Sequence, residues 1–85
     1  MKELTLSKEE ILQFQYILPV QGDLKSLELV ESITIKARIE NNDMEKVVSF
    51  DENEIKLMHD SIAFLNSQKK IYFQSLPLIK KILNI

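Results

Sequence analysis

The stretch Phe50–Ser67 reads FDENEIKLMHDSIAFLNS, and its spacing decides the fold. Ile55, Met58, Ile62 and Leu65 follow at steps of three, four and three, which puts them on one face of a helix that needs a core to bury it. Asp51 stands where a side chain caps the first turn, and Glu54, three residues on, is placed to reach back to the cap. Phe50 and Ile55 are spaced to close a hydrophobic staple over the helix start. The rest of the chain is read as packing around this helix.

Working back toward the N-terminus, Val47-Val48-Ser49-Phe50 looks extended and leads straight into the capped helix. Residues 33–40 are ambiguous. Ile33, Ile35, Ala37 and Ile39 alternate with polar residues as in a strand, which allows a hairpin with residues 45–50 across Asn41-Asn42-Asp43. A helix that begins after Asp23, with Leu24, Leu27 and Val30 at helical spacing, can instead continue to about Asn41, its end suited by Lys36 and Arg38. Further back, Ser7 with Glu10 forms a second capping box, with Leu6 and Ile11 as its staple. That opening helix is expected to run from Lys8 to Leu18, where Pro19 stops it, burying Ile11, Phe14, Leu18 and either Tyr16 or Ile17. Gly22, the only glycine, reads as a turn residue with positive φ.

Toward the C-terminus, residues 69–73 look extended, so a short two-stranded contact with residues 47–50 is expected. Ser75 is placed to cap a last helix with Pro77 in its first turn, and Leu78, Ile79, Ile82 and Leu83 form one stripe while Lys80 and Lys81 point away. No internal repeat is visible. The expected fold class is mainly α: a single domain over residues 1–85, a small bundle of about four helices with at most a short two-stranded β contact. The alternative is α+β with a hairpin over residues 33–50.

Composition narrows the function classes. At 85 residues, 45% hydrophobic and 28% charged, the chain suits one folded domain rather than a disordered tail. It has no cysteine and one histidine, which removes disulfides, thiolate chemistry and the usual zinc sites. No signal-peptide pattern and no apolar run of bilayer length is present, so a cytoplasmic protein is expected. A net charge of −2 argues against a general nucleic-acid binder. The balance is uneven, however: residues 69–85 carry four lysines and no acid.

Each motif with a chemical reading has a plainer one. His59 has neither a cysteine nor a second histidine to share a metal with, and is expected on a helix flank. Asp51, Asn53 and Glu54 start like a calcium loop, but Lys56 stands where its glycine belongs and Ile62 where its closing glutamate belongs. Glu28 with Glu31, and Asp51 with Glu52 and Glu54, suit exposed faces and helix starts better than acid-base chemistry. A helix-turn-helix reading of the first two helices would put Glu28 and Glu31 against phosphates. No catalytic, metal or cofactor residue is therefore expected. The partner-binding candidates are Lys69, Lys70, Lys80 and Lys81 with Tyr72 and Phe73 between them, and the apolar residues Ile82 and Ile85 of the last helix. Six apolar residues in positions 76–85 are more than a short terminal helix needs for docking, which favours a two-fold dimer through that helix.

Leu18, Pro19 and Gly22, then Leu27 and Val30, the segment Val47–Leu65 and the Lys69-Lys70 turn together resemble a group of small, functionally uncharacterised proteins of tailed bacteriophages and prophages. The resemblance implies a mainly helical protein acting in the host cell cytoplasm, and brings no active site with it. Residues 33–46 depart from it, because alternating isoleucines replace a more evidently helical acidic stretch. The function expected on these grounds is that of a small non-enzymatic interaction protein binding a protein partner or itself. The alternative is a nucleic-acid-associated accessory protein using the basic C-terminal patch.

Overall fold

In a computed structural model, which describes residues 1–38 and 43–85, two strands form a small antiparallel sheet: β1 (Lys2–Ser7) and β2 (Glu45–Phe50). Their alternation turns Leu4 and Leu6 of β1 and Val48 and Phe50 of β2 inward, all four buried, while Glu3, Thr5, Glu45 and Val47 face out. Leu4 lies opposite Val48 and Leu6 opposite Lys46, and Lys8 N–H to Met44 O at 3.0 Å extends the ladder by one pair. Each strand runs directly into a capped helix. α1 (Lys8–Leu12) follows β1 and α3 (Glu52–Ser67) follows β2.

Both helix starts carry the capping box that their sequences predict. The Ser7 hydroxyl accepts from Glu10 N–H at 3.2 Å while the Glu10 carboxylate accepts from Ser7 N–H at 2.8 Å. Asp51 accepts from Glu54 N–H at 2.8 Å and Glu54 accepts from Asp51 N–H at 2.9 Å. Counted onward from the paired residues Leu4 and Val48, the two segments match in order: Leu6 with Phe50, Ser7 with Asp51, Glu10 with Glu54 and Ile11 with Ile55. The chain therefore contains a strand–cap–helix repeat that its sequence does not display as a repeat.

The two units diverge after the cap. α3 runs sixteen residues and buries Met58 and Ile62 in the core, as its spacing predicts. α1 is helical for only five residues and tightens into a 3-10 turn, η1 (Gln13–Tyr16), so the single helix expected to Leu18 is not formed. The tightening turns Phe14, Ile17 and Leu18 into the core and leaves Tyr16 exposed. Phe14 meets Phe50 edge to face at 6.2 Å between ring centroids.

α2 (Leu24–Lys36) takes the helical alternative for the ambiguous segment. Asp23 caps it, accepting from Ser26 N–H at 2.7 Å. Ile33 and Ala37, four apart, are buried while Ile35 is exposed, so the 3.6 period overrides the alternation of isoleucines. The hairpin over residues 33–50 is not formed, because β2 finds its partner in β1 instead. The turn expected at Asn41-Asn42 and the continuation of the helix to Asn41 lie outside the described residues.

Two turns differ from expectation. Gly22 does not have a positive φ, and a Cβ there would meet Ser26 Cβ at an ordinary 3.8 Å, so no backbone requirement explains the glycine. The left-handed residue is Lys69, at φ 56°. It follows α3 in a Schellman stop, where Lys70 N–H reaches Leu65 O at 2.9 Å and Lys69 N–H reaches Asn66 O at 3.1 Å. Residues 69–73 accordingly make no strand. A 3-10 turn, η2 (Phe73–Ser75), leads into α4 (Leu76–Leu83), with Pro77 in its first turn. Ser75 does not cap α4 with its side chain; its hydroxyl donates to Gln13 Oε1 at 3.3 Å and so joins η2 to η1. The core lies between the inner face of the sheet and the facing sides of α2, α3 and α4, with Leu78, Ile79 and Ile82 supplied by α4. The protein is thus mainly α with a short two-stranded sheet.

Candidate docking surface

The C-terminal candidates do not form one patch. Lys69, Lys70, Tyr72, Phe73 and Lys80 are exposed, with Phe73 at 83%. Lys81 turns inward: its ammonium donates to Thr5 O at 2.7 Å and to the Glu10 carboxylate at 2.8 Å, tying α4 to the end of β1. Ile82 is completely buried and Ile85 half-buried against the core. The segment 76–85 therefore spends Leu78, Ile79 and Ile82 on the chain's own core and keeps Leu76 and Ile85 half-buried. Leu83 is its one large exposed apolar residue. Tyr72 lies against Tyr16 of η1, ring centroids 5.2 Å apart, which joins the exposed 72–73 corner to the first unit.

Among the described residues two ion pairs join helices. The Glu54 carboxylate, wholly buried, accepts from Lys36 at 2.6 Å, from Ser32 Oγ at 2.7 Å and from Asp51 N–H, so it pins α2 to the start of α3. Glu10 does the same for α4 through Lys81. Burial pushes the Glu10 carboxyl upward, but the hydrogen bonds from Lys81 and Ser7 and the nearby ammonium charge together outweigh it and hold the group below its ordinary value of 4.5. Asp23 is also lowered, by the Ser26 backbone N–H that it caps. His59 donates from Nε2 to Ile82 O at 3.0 Å, bracing α3 against α4 from the helix flank where it was expected. Among the described residues no group of three or more histidines and carboxylates is arranged to hold a metal ion, and no helix is long and apolar enough to cross a membrane.

A large apolar depression lies elsewhere on the surface. It is a groove of about 640 Å³ between α1–η1 and α2, continued by the turn after η1. Ile11 and Phe14 form one wall, Val30 and Ala37 the other, with Leu18 and Pro19 closing one end. Leu12 and Val20 stand on the lip, 54% and 85% exposed. Among the described residues, Lys8 and Arg38 are the charged residues lining it. A second depression, of about 430 Å³ between α2 and α3, is lined by both lysines and acids, including Glu28 and Asp60. The first groove follows from the repeat: α1 is too short, and η1 too tightly wound, to cover the side of α2 that a longer helix would cover.

None of the groove residues was among the partner-binding candidates read from the sequence, where Ile11, Phe14 and Leu18 were read as core. The available signal was weak: Leu12 and Val20 are apolar residues off the stripes read as core, and both are exposed. Compared with known protein families, curated proteins and solved structures, the chain finds no match.

Proposed function

We propose that the protein is a small non-enzymatic interaction module, working in a host cell cytoplasm, that binds a protein partner through the groove between α1–η1 and α2. The observation that carries this reading is the groove itself, an apolar trough with exposed apolar lips at Leu12 and Val20. The non-enzymatic reading is supported by the occupation of the ionisable groups: Glu54, Lys36, Glu10 and Lys81 are spent on holding helices together. The resemblance to small phage and prophage proteins is in keeping with both. Thr34 lines the groove and is exposed, so Thr34→Trp fills it without disturbing the core. A protein that co-purifies with the unmutated chain and is lost from Thr34→Trp, with the helical circular-dichroism spectrum unchanged, is the expected outcome. Retention by Thr34→Trp would place the interface elsewhere.

One observation favours a second reading. Tyr72 and Phe73 are exposed directly after Lys69 and Lys70, and exposed aromatic rings beside lysines suit stacking of single-stranded bases. On that reading, retention on single-stranded DNA falls steeply with salt and falls further in Phe73→Ala. Retention unchanged by either would remove it.

A further inference from the structure

We infer that the groove's occupant is an amphipathic helix of a partner protein, apolar along one face and acidic at one end; the inference rests on the groove being the binding site. Three observations point to it. The walls are α1, η1 and α2, so no sheet edge lines the described groove, and the Thr34 hydroxyl is turned back onto Val30 O at 2.8 Å. An extended peptide gains affinity by adding main-chain hydrogen bonds to a sheet edge, and such a wall has none to offer. A segment docking here must satisfy its own backbone, which a helix does. The exposed lips at Leu12 and Val20 leave the groove open along its length, so a small molecule would keep much of its surface in water, whereas a helix lays down one face and keeps the other solvated.

The charge supplies the third observation. In a chain of net charge −2, the charged residues among the described lining of the groove, Lys8 and Arg38, are both basic. They also share one end. Lys8 N–H bonds Met44 O, and Arg38 O accepts from Lys46 at 2.8 Å, so both sit beside the start of β2, while Leu18 and Val20 lie at the far end of η1. A helix with Asp or Glu in the turn that reaches Lys8 and Arg38 is matched at that end, and a basic one is repelled.

The test is a display library of helix-forming peptides of about 14 residues, roughly four turns, selected on the immobilised full-length chain and counter-selected on Thr34→Trp. The expected binders carry apolar residues at i, i+3 or i+4, and i+7, with Asp or Glu concentrated at one end. A representative peptide is expected to bind about tenfold more weakly when those acids are changed to lysine, and the preference is expected to reverse on the Lys8→Glu/Arg38→Glu chain. Both side chains are exposed, so that variant is expected to fold, and its circular-dichroism spectrum checks this. Peptides that need an open groove but show no preference for acids overturn the inference and leave the groove reading standing. If every peptide selected on the unmutated chain is removed again by the counter-selection on Thr34→Trp, and binds Val20→Asp equally well, both are overturned.

Discussion

The two strand–cap–helix units start from the same geometry and end in different uses. In the unit of β2 and α3 the glutamate of the capping box is fully buried, and it is held by a lysine and a serine of α2 as well as by its own cap. In the unit of β1 and α1 the corresponding Glu10 is at the edge of the core, and its lysine comes from α4 with 42% of its side chain exposed. α3 then continues for four turns into the core, whereas α1 stops and tightens into η1. The same local device fixes a long helix as the centre of the core in one unit and, in the other, leaves α2 partly uncovered and opens a groove. One unit carries stability; its counterpart carries surface.

That division can be broken by substitution, and the largest effect is expected in the second unit. Ile62→Ala should cost about 2–5 kcal/mol in urea unfolding, because a buried branched side chain leaves a cavity at the middle of α3. Ile11→Ala, half-buried in the first unit, should cost about 1 kcal/mol; equal losses would abolish the distinction. Glu54→Ala is next, at about 3 kcal/mol, since it removes the cap and strands the Lys36 ammonium and Ser32 hydroxyl together. Glu10→Ala should cost only about 1 kcal/mol, as its lysine can turn to water.

The Glu10 comparison sharpens with pH. Its carboxyl is held below 4.5 in the folded chain, so its stabilisation is complete above 4.5 and is lost as pH falls through the lower folded value. The stability gap between the unmutated chain and Glu10→Gln should thus stay constant from pH 7 to about 5 and close below that. A gap that does not begin to narrow as pH falls below 4.5 would mean that the carboxylate makes no differential contribution. The smallest effect concerns how α3 stops. Lys69→Gly should raise stability by about 0.5 kcal/mol, because relief of a left-handed lysine exceeds the entropy cost of glycine.

Several of these features were legible in the sequence because they are local. Both capping boxes, the buried face of α3, the N-cap at Asp23 and the stripe of α4 are set by residues three or four apart, within reach of one turn of helix. The partner of β2 was not legible, because strand pairing joins residues far apart in the chain, from Ser7 with Glu45 to Lys2 with Phe50, and Leu4 and Leu6 offer only one short alternation. Val47–Phe50 was read as extended correctly and paired with the wrong end of the chain. The turn chemistry misled for a different reason. Gly22 satisfies every rule for a left-handed residue and is not one, while Lys69 is left-handed because the Schellman bonds to Leu65 and Asn66 impose it. The expected C-terminal patch dissolved because Lys81 and Ile82 have partners, Thr5, Glu10 and the core, that only the folded chain brings near. The groove was illegible because it is an absence of cover, the consequence of α1 ending at Leu12 where sequence periodicity continues.

Native-state hydrogen exchange reads both units in one molecule and tests their division of labour most directly. The amides of Met58–Ile62 in α3 should exchange only through global unfolding, with a free energy equal to that from urea denaturation. Those of Leu12–Tyr16 should exchange through a local opening at least about 1 kcal/mol lower, because fewer buried contacts hold that wall of the groove. Equal protection of the two segments, or greater protection of Leu12–Tyr16, would contradict the account.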